Sequence, residues 1–417
     1  MSEVSLRKAI LVTIAENAGA VPECERSLDE LERLLDTAGG VCCAKVIQVK
    51  EKYDPRTCIG SGKVKEISEL AKSDDVDLVV FDFELTPAQI RNLEDDIALE
   101  LDVIDRSMLI LDIFAQNATS GEGKLQVQLA QLRYSSPRLV GKGTSLSRQG
   151  GGIGSRGPGE SKLETDRRHV KEKIVALERK LEELEHNRMV MRSQRDKSGL
   201  PKVALVGYTN AGKSTLLNRL TDAGVLAQDK LFATLDPTTR KLTLPSGESV
   251  LLTDTVGFIK KLPHHLVKAF KSTLDEVRYA DILIVVADAS DPEVDGQLDV
   301  TREVISELGG ADKPVIYAFN KCDACESSGV ARAENSVMIS ARDGIGIDEL
   351  LDTVEAVVKR SKRLCKLLIP YTDQSVVSAL YNSYTVVNVD YVDDGILVDV
   401  ILDARGMGQY VNYYLDK

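Results

Sequence analysis

The chain has no tryptophan, and no apolar run approaches the roughly 18 to 20 residues that a membrane-spanning helix needs. A spanning segment is therefore not expected. The N-terminus, MSEVSLRKAILVTIAENAG, holds an apolar stretch of six residues, Ala9 to Ile14, soon followed by Glu16. That is short for a signal peptide and suits a first β-strand, so a cytoplasmic location is expected. Cysteine offers no framework either. The seven, at positions 24, 42, 43, 58, 322, 325 and 365, are odd in number and share no repeated pair spacing. Neither a disulfide scaffold nor a structural zinc site follows from such a set, and reduced, mostly buried thiols are expected.

Acidic residues are missing from one long stretch. Between Gly123 and Gly159 there is no Asp or Glu and there are six Lys or Arg, although the whole chain carries a formal charge of -12. An acidic protein can still hold a polyanion on one basic surface, because screened attraction reaches only about 10 Å. Eight of the nineteen residues 141–159 are glycine, and Gly152, Gly154 and Gly157 spell G-x-G-x-x-G. That spacing binds a dinucleotide only after a strand and at the opening of a helix. Here it follows no strand and lies amid cations, so it is read as a false match. A solvated linker is the competing reading of the same residues.

What is present points to an α/β protein. At 417 residues the chain suggests two to four domains. Residues 1–105 alternate strand-like and helix-like runs, which predicts a small, mainly parallel sheet. Within them IGSGKV (59–64) resembles a phosphate loop, but Val64 follows the lysine where a metal-binding hydroxyl is required, so a turn is expected. Residues 106–198 read as a projecting helical hairpin with a glycine-rich, basic tip at 141–159. Its first arm, Arg106 to Tyr134, carries Leu125, Leu129 and Leu132 on one face. The second, Ser161 to Arg195, carries Leu163, Val170, Ile174, Leu177, Leu181, Leu184 and Met191 as a narrow packing seam. A stronger β-α alternation fills 199–360, and 361–417 suggests a small α+β domain with a hairpin turning at Asp393-Asp394-Gly395.

The stretch KVALVGYTNAGKST satisfies G-x-x-x-x-G-K-[ST] from Gly207 to Ser214, after a β-branched strand and at the start of a helix. Backbone N–H groups of Gly207, Tyr208, Thr209, Asn210, Ala211 and Gly212, with Thr215 in the first helical turn, are expected to wrap a β-phosphate. Lys213 is expected to reach the β and γ oxygens, and Ser214 to coordinate magnesium. Further along, DTVG (Asp254, Thr255, Val256, Gly257) ends a strand and offers Asp254 to the metal shell and the Gly257 N–H to the γ-phosphate. NKCD (Asn320, Lys321, Cys322, Asp323) ends another strand. Asp323 can accept two hydrogen bonds from guanine that adenine cannot donate, a mismatch that discriminates by roughly 10⁴-fold. Ser340, Ala341 and Arg342 are expected to cover the base edge. Between loop and DTVG, Phe232, Ala233, Thr234, Leu235 and Asp236 form the expected first switch segment. Thr234 is the preferred second metal-binding hydroxyl, with Thr238 and Thr239 weaker candidates. In this order the fragments predict GTP and GDP binding, magnesium on Ser214, Thr234 and Asp254, and catalysis through Lys213, Thr234 and Gly257.

Phe258 stands directly after DTVG, where Ras-like GTPases place a water-orienting glutamine. A phenyl ring cannot align water, so slow intrinsic turnover and stimulation by a partner are expected. Asn210 suggests a bound potassium ion, and a hydrogen bond that merely holds the loop is an equally good reading.

The segments GESKLETDRR (159–168), GYTNAGKSTLLNRLT, LFATLDPTTR and DTVGFIKKLPHHLVKAFKSTLDEV (254–277), in this order behind an α/β domain, resemble the HflX family of translational GTPases. The resemblance runs over about residues 1–360; 363–417 match less securely. It implies binding to the large ribosomal subunit and, for at least some members, splitting of stalled or idle ribosomes, with the hairpin tip near the peptidyl-transferase region. It carries over the phosphate loop, Thr234 as switch threonine, and Asn320, Lys321 and Asp323 as base readers. Cations interleaved with Gly, Ser and Gln suit phosphate contacts to folded RNA. A ribosome-splitting, rescue or recycling GTPase is thus expected, monomeric, cytoplasmic with some ribosome or membrane association, and without a DNA partner. His264 and His265 are read as surface or interface residues. Two other classes stay open: an RNA-remodelling NTPase or ribosome-assembly factor with a second nucleotide site in residues 1–105, which GSGKV supports poorly, and a metabolic kinase, which NKCD contradicts.

Overall fold

The computed structural model describes residues 7–97, 101–137, 167–185, 199–221, 231–232, 236–261, 271–325 and 334–415. The hairpin tip 141–159, Ala233, Thr234, Leu235, His264 and His265 lie outside them. The chain divides into two compact units. One comprises Met1–Leu184, Gln228–Asp236 and Ile259–Thr273; the other Glu185–Ala227, Pro237–Phe258 and Leu274–Lys417.

In the first unit β1 (Arg7–Ala15), β2 (Gly40–Val49), β3 (Leu78–Phe81) and β4 (Asp102–Asp105) form a parallel sheet in the order β2-β1-β3-β4. The apolar run read from Ala9 to Ile14 is the buried centre of β1. Continuous burial requires cover on both faces, as parallel sheets have. One face packs Ile10, Val12 and Ile14 against Val64 and Ile67 of α2 (Ser61–Ser73) and Ile90 and Leu93 of α3 (Pro87–Ile97). The remaining helices of this sheet are α1 (Val21–Thr37) and α4 (Arg106–Asn117), whose Leu28, Leu31, Leu109 and Ile110 are fully or almost fully buried. The stretch IGSGKV is not a plain turn: Ser61 opens α2, the Gly60 N–H donates to Gln48 Oε1 at 2.9 Å, and Lys63 pairs with Glu66 at 2.8 Å.

The arm expected as one helix from Arg106 to Tyr134 breaks in two. After α4, the chain is extended at Ala118 and Ser120, and α5 (Gly121–Ser135) begins. Ser120 supplies the reason, since its hydroxyl accepts from the Gly123 N–H at 2.8 Å and so caps a new helix instead of continuing the old one. The buried face of α5 is Gly123, Gln126, Val127, Leu129 and Ala130, with Leu125 and Leu132 half-buried at its edge. The second arm is helical over 167–185 (α6), with Leu177 buried and Val170, Ile174, Leu181 and Leu184 half-buried among exposed neighbours, and Glu178 accepts from Arg133 of α5 at 2.6 Å.

A charged centre closes the carboxyl end of this sheet. Arg106, only 2% exposed, donates to Asp82 at 2.7 Å and to Glu30, and Asp82 itself is fully buried. The Lys261 ammonium donates to the other Asp82 oxygen at 2.6 Å, and the Lys260 carbonyl accepts from Arg106 at 3.1 Å.

In the second unit β5 (Lys202–Gly207), β6 (Thr238–Thr243), β7 (Ser249–Asp254), β8 (Ile282–Asp288), β9 (Val315–Asn320) and β10 (Ser336–Met338) make a six-stranded sheet in the order β10-β9-β8-β5-β7-β6. Only β6 runs antiparallel. Its core is aliphatic, with Val203, Leu205, Leu216, Leu252, Ile284, Ile316 and Leu350 at most 1% exposed. Helices α7 (Lys213–Thr221), α8 (Lys271–Tyr279), α9 (Val294–Glu307) and α10 (Ile347–Ser361) connect the strands. Residues after α10 form the antiparallel sheet β11-β13-β12 from β11 (Arg363–Ile369), β12 (Thr385–Val392) and β13 (Gly395–Leu402), with α11 (Gln374–Ser383) and α12 (Ala404–Gln409). The hairpin turns at Asp393-Asp394, between paired Val392 and Gly395.

The thiols correct one expectation. All seven cysteines are free, but only Cys58 and Cys365 are buried, and Cys43 is exposed. Cys42 and Cys43 sit on β2, an edge strand that is only partly covered. Among the described residues, no helix is long and apolar enough to cross a membrane.

Removing one partner of a buried ion cluster leaves an uncompensated charge, at a cost of about 3–5 kcal/mol. Arg106→Met is expected to destabilise the first unit by that amount in urea unfolding. A loss below about 1 kcal/mol, the range of an exposed pair, contradicts this placement.

Candidate functional site

The strand order of the second unit changes direction at β5, with β8 on one side and β7 on the other. Open α/β sheets bind ligands outside the carboxyl ends of their strands at such a switch point. Gly207 to Gly212 leave β5 there and lead into α7. Gly207 adopts φ +144, and a Cβ on it would meet the Val286 carbonyl oxygen at 2.1 Å, so the loop passes against β8 too closely for any side chain.

Lys213 is the electrostatic centre of this loop. Its ammonium is buried and donates to the carbonyls of Tyr208 at 2.7 Å and Gly207 at 3.1 Å. Burial lowers its pKa to about 8, and the Asp254 carboxylate only partly counteracts the shift. A cation held against neutral carbonyls gains from an arriving phosphate the negative charge that burial demands. Beside it, the Thr209 hydroxyl is buried without a hydrogen-bond partner.

Ser214 Oγ donates to Asp254 Oδ2 at 2.7 Å, which joins the two predicted metal-binding groups of this unit. Thr255 Oγ1 ties DTVG to β5 by donating to the Leu205 carbonyl at 2.7 Å. Gly257 is required by space: a Cβ there would lie 2.7 Å from Thr209 Cα and 3.0 Å from the Lys213 ammonium. Phe258 is buried, and its backbone bridges the phosphate loop, with its N–H donating to Gly207 and its carbonyl accepting from Thr209. The ring is thus packed in the interior, 1% exposed.

The predicted base readers converge from β9 and the SAR turn. Asn320 donates to the Ala211 carbonyl at 2.8 Å and accepts from the Ala341 N–H at 2.9 Å, so one amide links the phosphate loop to the SAR turn. Lys321 sits in left-handed backbone at φ +63, and its ammonium pairs with Asp288 at 2.6 Å. A hydrogen bond with Ser340 and the nearby Arg342 and Lys321 hold Asp323 below the usual carboxylate range. Arg342 donates to Asp323 at 2.7 Å. Cys322 lies between these readers in a short 3-10 turn. Two contributors were not singled out from sequence: Asp288 at the end of β8, and Arg219 of α7, which donates to the Ala341 carbonyl at 3.0 Å. An Asp closing the apolar strand ILIVVAD was the available signal for the first; nothing local marks the second.

Of the expected first switch segment, Phe232 and Asp236 belong to the first unit. Phe232 packs edge-on against Phe114 at 4.7 Å, and Asp236 caps the start of α5. Thr239 lies in β6, its hydroxyl 2.9 Å from that of Thr253, and Thr238 pairs with Asp254 across the same ladder.

Three family models match in order: GTP-binding GTPase N-terminal over residues 25–115, GTP-binding GTPase middle region over 117–195, and 50S ribosome-binding GTPase over 202–321. The GTPase HflX of Lacrimispora saccharolytica is 50% identical over 398 residues, which cover 95% of this chain and 94% of that protein. The chain belongs to the HflX family. The GTPase HflX of Escherichia coli is 46% identical over 333 residues, 78% of each chain. A crystal structure of a GTP-binding protein from Sulfolobus solfataricus in complex with GDP is 22% identical, with a TM-score of 0.44, over 85% of this chain and 99% of that one. This HflX-family chain binds guanine nucleotide and hydrolyses GTP to GDP and phosphate.

The depressed Lys213 pKa gives nucleotide binding a pH signature. Below about pH 8 the free protein already carries the proton; above it, binding has to take one up, so GDP affinity falls as pH rises. Calorimetric titration with GDP at pH 9, in buffers of different ionisation enthalpy, is expected to show uptake approaching one proton, and at pH 7 almost none. Equal uptake at both values contradicts the assignment.

Proposed function

We propose that this HflX-family GTPase binds the large ribosomal subunit and splits, rescues or recycles ribosomes, with GTP binding and hydrolysis as its switch. The observation that carries this reading is the stretch Gly123–Gly159, six cations without a carboxylate in a chain of net charge -12, which begins within α5, where Arg133 pairs with Glu178 of α6. The match of residues 202–321 to a family described as 50S ribosome-binding supports it. Phosphate contacts of this kind are non-specific in sequence and strongly salt-dependent, as contacts to folded rRNA are.

Magnesium fits the oxygen groups present, and Ser214, Asp254 and Thr234 would hold it. Such an ion neutralises charge on the β and γ oxygens when bound. Lys213 and the Gly257 N–H bind the transferred phosphoryl group; Asn320, Lys321 and Asp323 fix guanine. Potassium at Asn210 belongs to the same reading. With the Phe258 ring buried, water is positioned by backbone groups, Thr234 or the ribosome, so intrinsic turnover is slow and large subunits accelerate it. A second nucleotide site at GSGKV is disfavoured because Lys63 is engaged by Glu66.

Sedimentation with purified large subunits under GDP, GTP and a non-hydrolysable analogue tests this. Nucleotide-dependent co-sedimentation is expected, and a chain lacking 141–159 is expected to retain GDP binding but lose subunit-stimulated hydrolysis. Absence of co-sedimentation in every nucleotide state overturns the ribosomal reading.

A further inference from the structure

The phosphate loop of the second unit holds one polar group that neither the fold nor the proposed function employs. Thr209 is only 6% exposed, and its hydroxyl meets no hydrogen-bond partner. A buried hydroxyl in that condition is destabilising and calls for a reason. The backbone of the residue is committed elsewhere, since the Thr209 N–H donates to the Phe258 carbonyl at 2.7 Å while the Phe258 N–H donates to the Gly207 carbonyl at 3.0 Å. These two bonds clamp the loop to the segment after DTVG and fix where Thr209 stands. The N–H expected to meet a phosphate is thus engaged, and the hydroxyl is what the residue has left to offer.

Its neighbours decide what completes it. A Cβ on Gly257 would lie 2.7 Å from Thr209 Cα, 2.8 Å from Thr209 Cγ2 and 3.0 Å from the Lys213 ammonium. The Thr209 methyl and the ammonium therefore flank one point and are no more than about 6 Å apart. A β-branched side chain has few χ1 rotamers, so with its methyl lodged beside Gly257 the direction of the hydroxyl is set by packing. Lys213 brings only donors to this corner, and its charge is met by the neutral carbonyls of Gly207 and Tyr208. An anionic oxygen serves both groups, because it relieves the ammonium and accepts from the hydroxyl. The corner also lies apart from the metal-binding pair, in which Ser214 is already bonded to Asp254.

We propose that the Thr209 hydroxyl is a catalytic group that donates to an oxygen of the γ-phosphoryl group, beside the Lys213 ammonium and the Gly257 N–H. It adds a donor where the second motif has none in its side chain, the Phe258 ring being packed inside. A donor on the transferred group stabilises the charge that gathers there in the transition state. The β-phosphate alone does not engage it. The inference rests on the γ-phosphate contacts proposed above for Lys213 and Gly257.

Thr209→Val keeps the branched shape and removes the hydroxyl, and Thr209→Ser keeps the hydroxyl and removes the methyl group. Affinity for GDP, affinity for a non-hydrolysable GTP analogue and the single-turnover rate of GTP hydrolysis are measured on the full chain without ribosomes. Thr209→Val is expected to bind GDP within about twofold of wild type and to lose about 10- to 100-fold in single-turnover rate, the worth of a hydrogen bond to a charged group. Analogue affinity falls with the rate, and Thr209→Ser recovers most of both. Because no bond is lost inside the fold, the urea midpoint of Thr209→Val stays level or rises. An unchanged rate in Thr209→Val, an equal loss of GDP and analogue affinity, or a lowered urea midpoint each overturns the assignment: the first makes the hydroxyl idle, the second moves it to the β-phosphate and the third gives it a structural bond. Lys213→Met, measured alongside, is expected to weaken both ligands; if it spares both, the phosphate-loop reading fails instead, whatever Thr209 does.

Discussion

A lysine ammonium buried against backbone carbonyls is the constraint on which the second unit depends. Lys213 is held by Gly207 and Tyr208, and its depressed pKa records the free energy stored by keeping that charge out of water. The surroundings are arranged around this cost. Gly207 and Gly257 lack side chains because β8, Thr209 and the ammonium occupy the space. Asn320 braces the loop from β9, and Phe258 braces it from the segment after DTVG. A site so pre-shaped gives up little order when phosphate arrives, and electrostatic preorganisation of this kind is what phosphoryl transfer asks of a protein.

The first unit solves the opposite problem. Its carboxylates are already satisfied within the fold, the buried Asp82 by Arg106, Lys261 and Ser27, and the half-buried Asp236 by the α5 cap. Lys261 and Asp236 both come from segments remote in sequence that flank the GTPase motifs.

The placement of the candidate site was legible because its motifs are demanded by chemistry at fixed spacing: Gly207 to Ser214, Asp254 to Gly257 and Asn320 to Asp323 all fall at strand ends of one sheet. The parallel sheet of residues 7–105 was legible from its β-α rhythm. Elsewhere the signal was weaker than the competing physics. The helix expected through Asn117 to Gly123 breaks because Ser120 caps a new helix, and the leucine period continues across the break without registering it. The cysteines were expected to be mostly buried, but burial depends on which strand becomes an edge, and β2 does. The fastening of Asp236 and Lys261 was invisible because it joins residues 116 and 179 positions apart. Gly123 was counted only as the start of a basic stretch, although its missing side chain makes the seat for Asp236.

A single guanine-specific site is the centre of the second unit's chemistry, and Asp323 offers its most direct test. Exchanging its carboxylate for an amide in Asp323→Asn reverses the hydrogen-bond polarity offered to the base. Turnover of GTP is predicted to fall by orders of magnitude and turnover of xanthosine triphosphate to appear, because a carbonyl replaces the N2 amine of guanine in that base. Unchanged GTP turnover in this variant, or purine triphosphate turnover indifferent to the substitution, would contradict a single site built on Lys213 and Asp323.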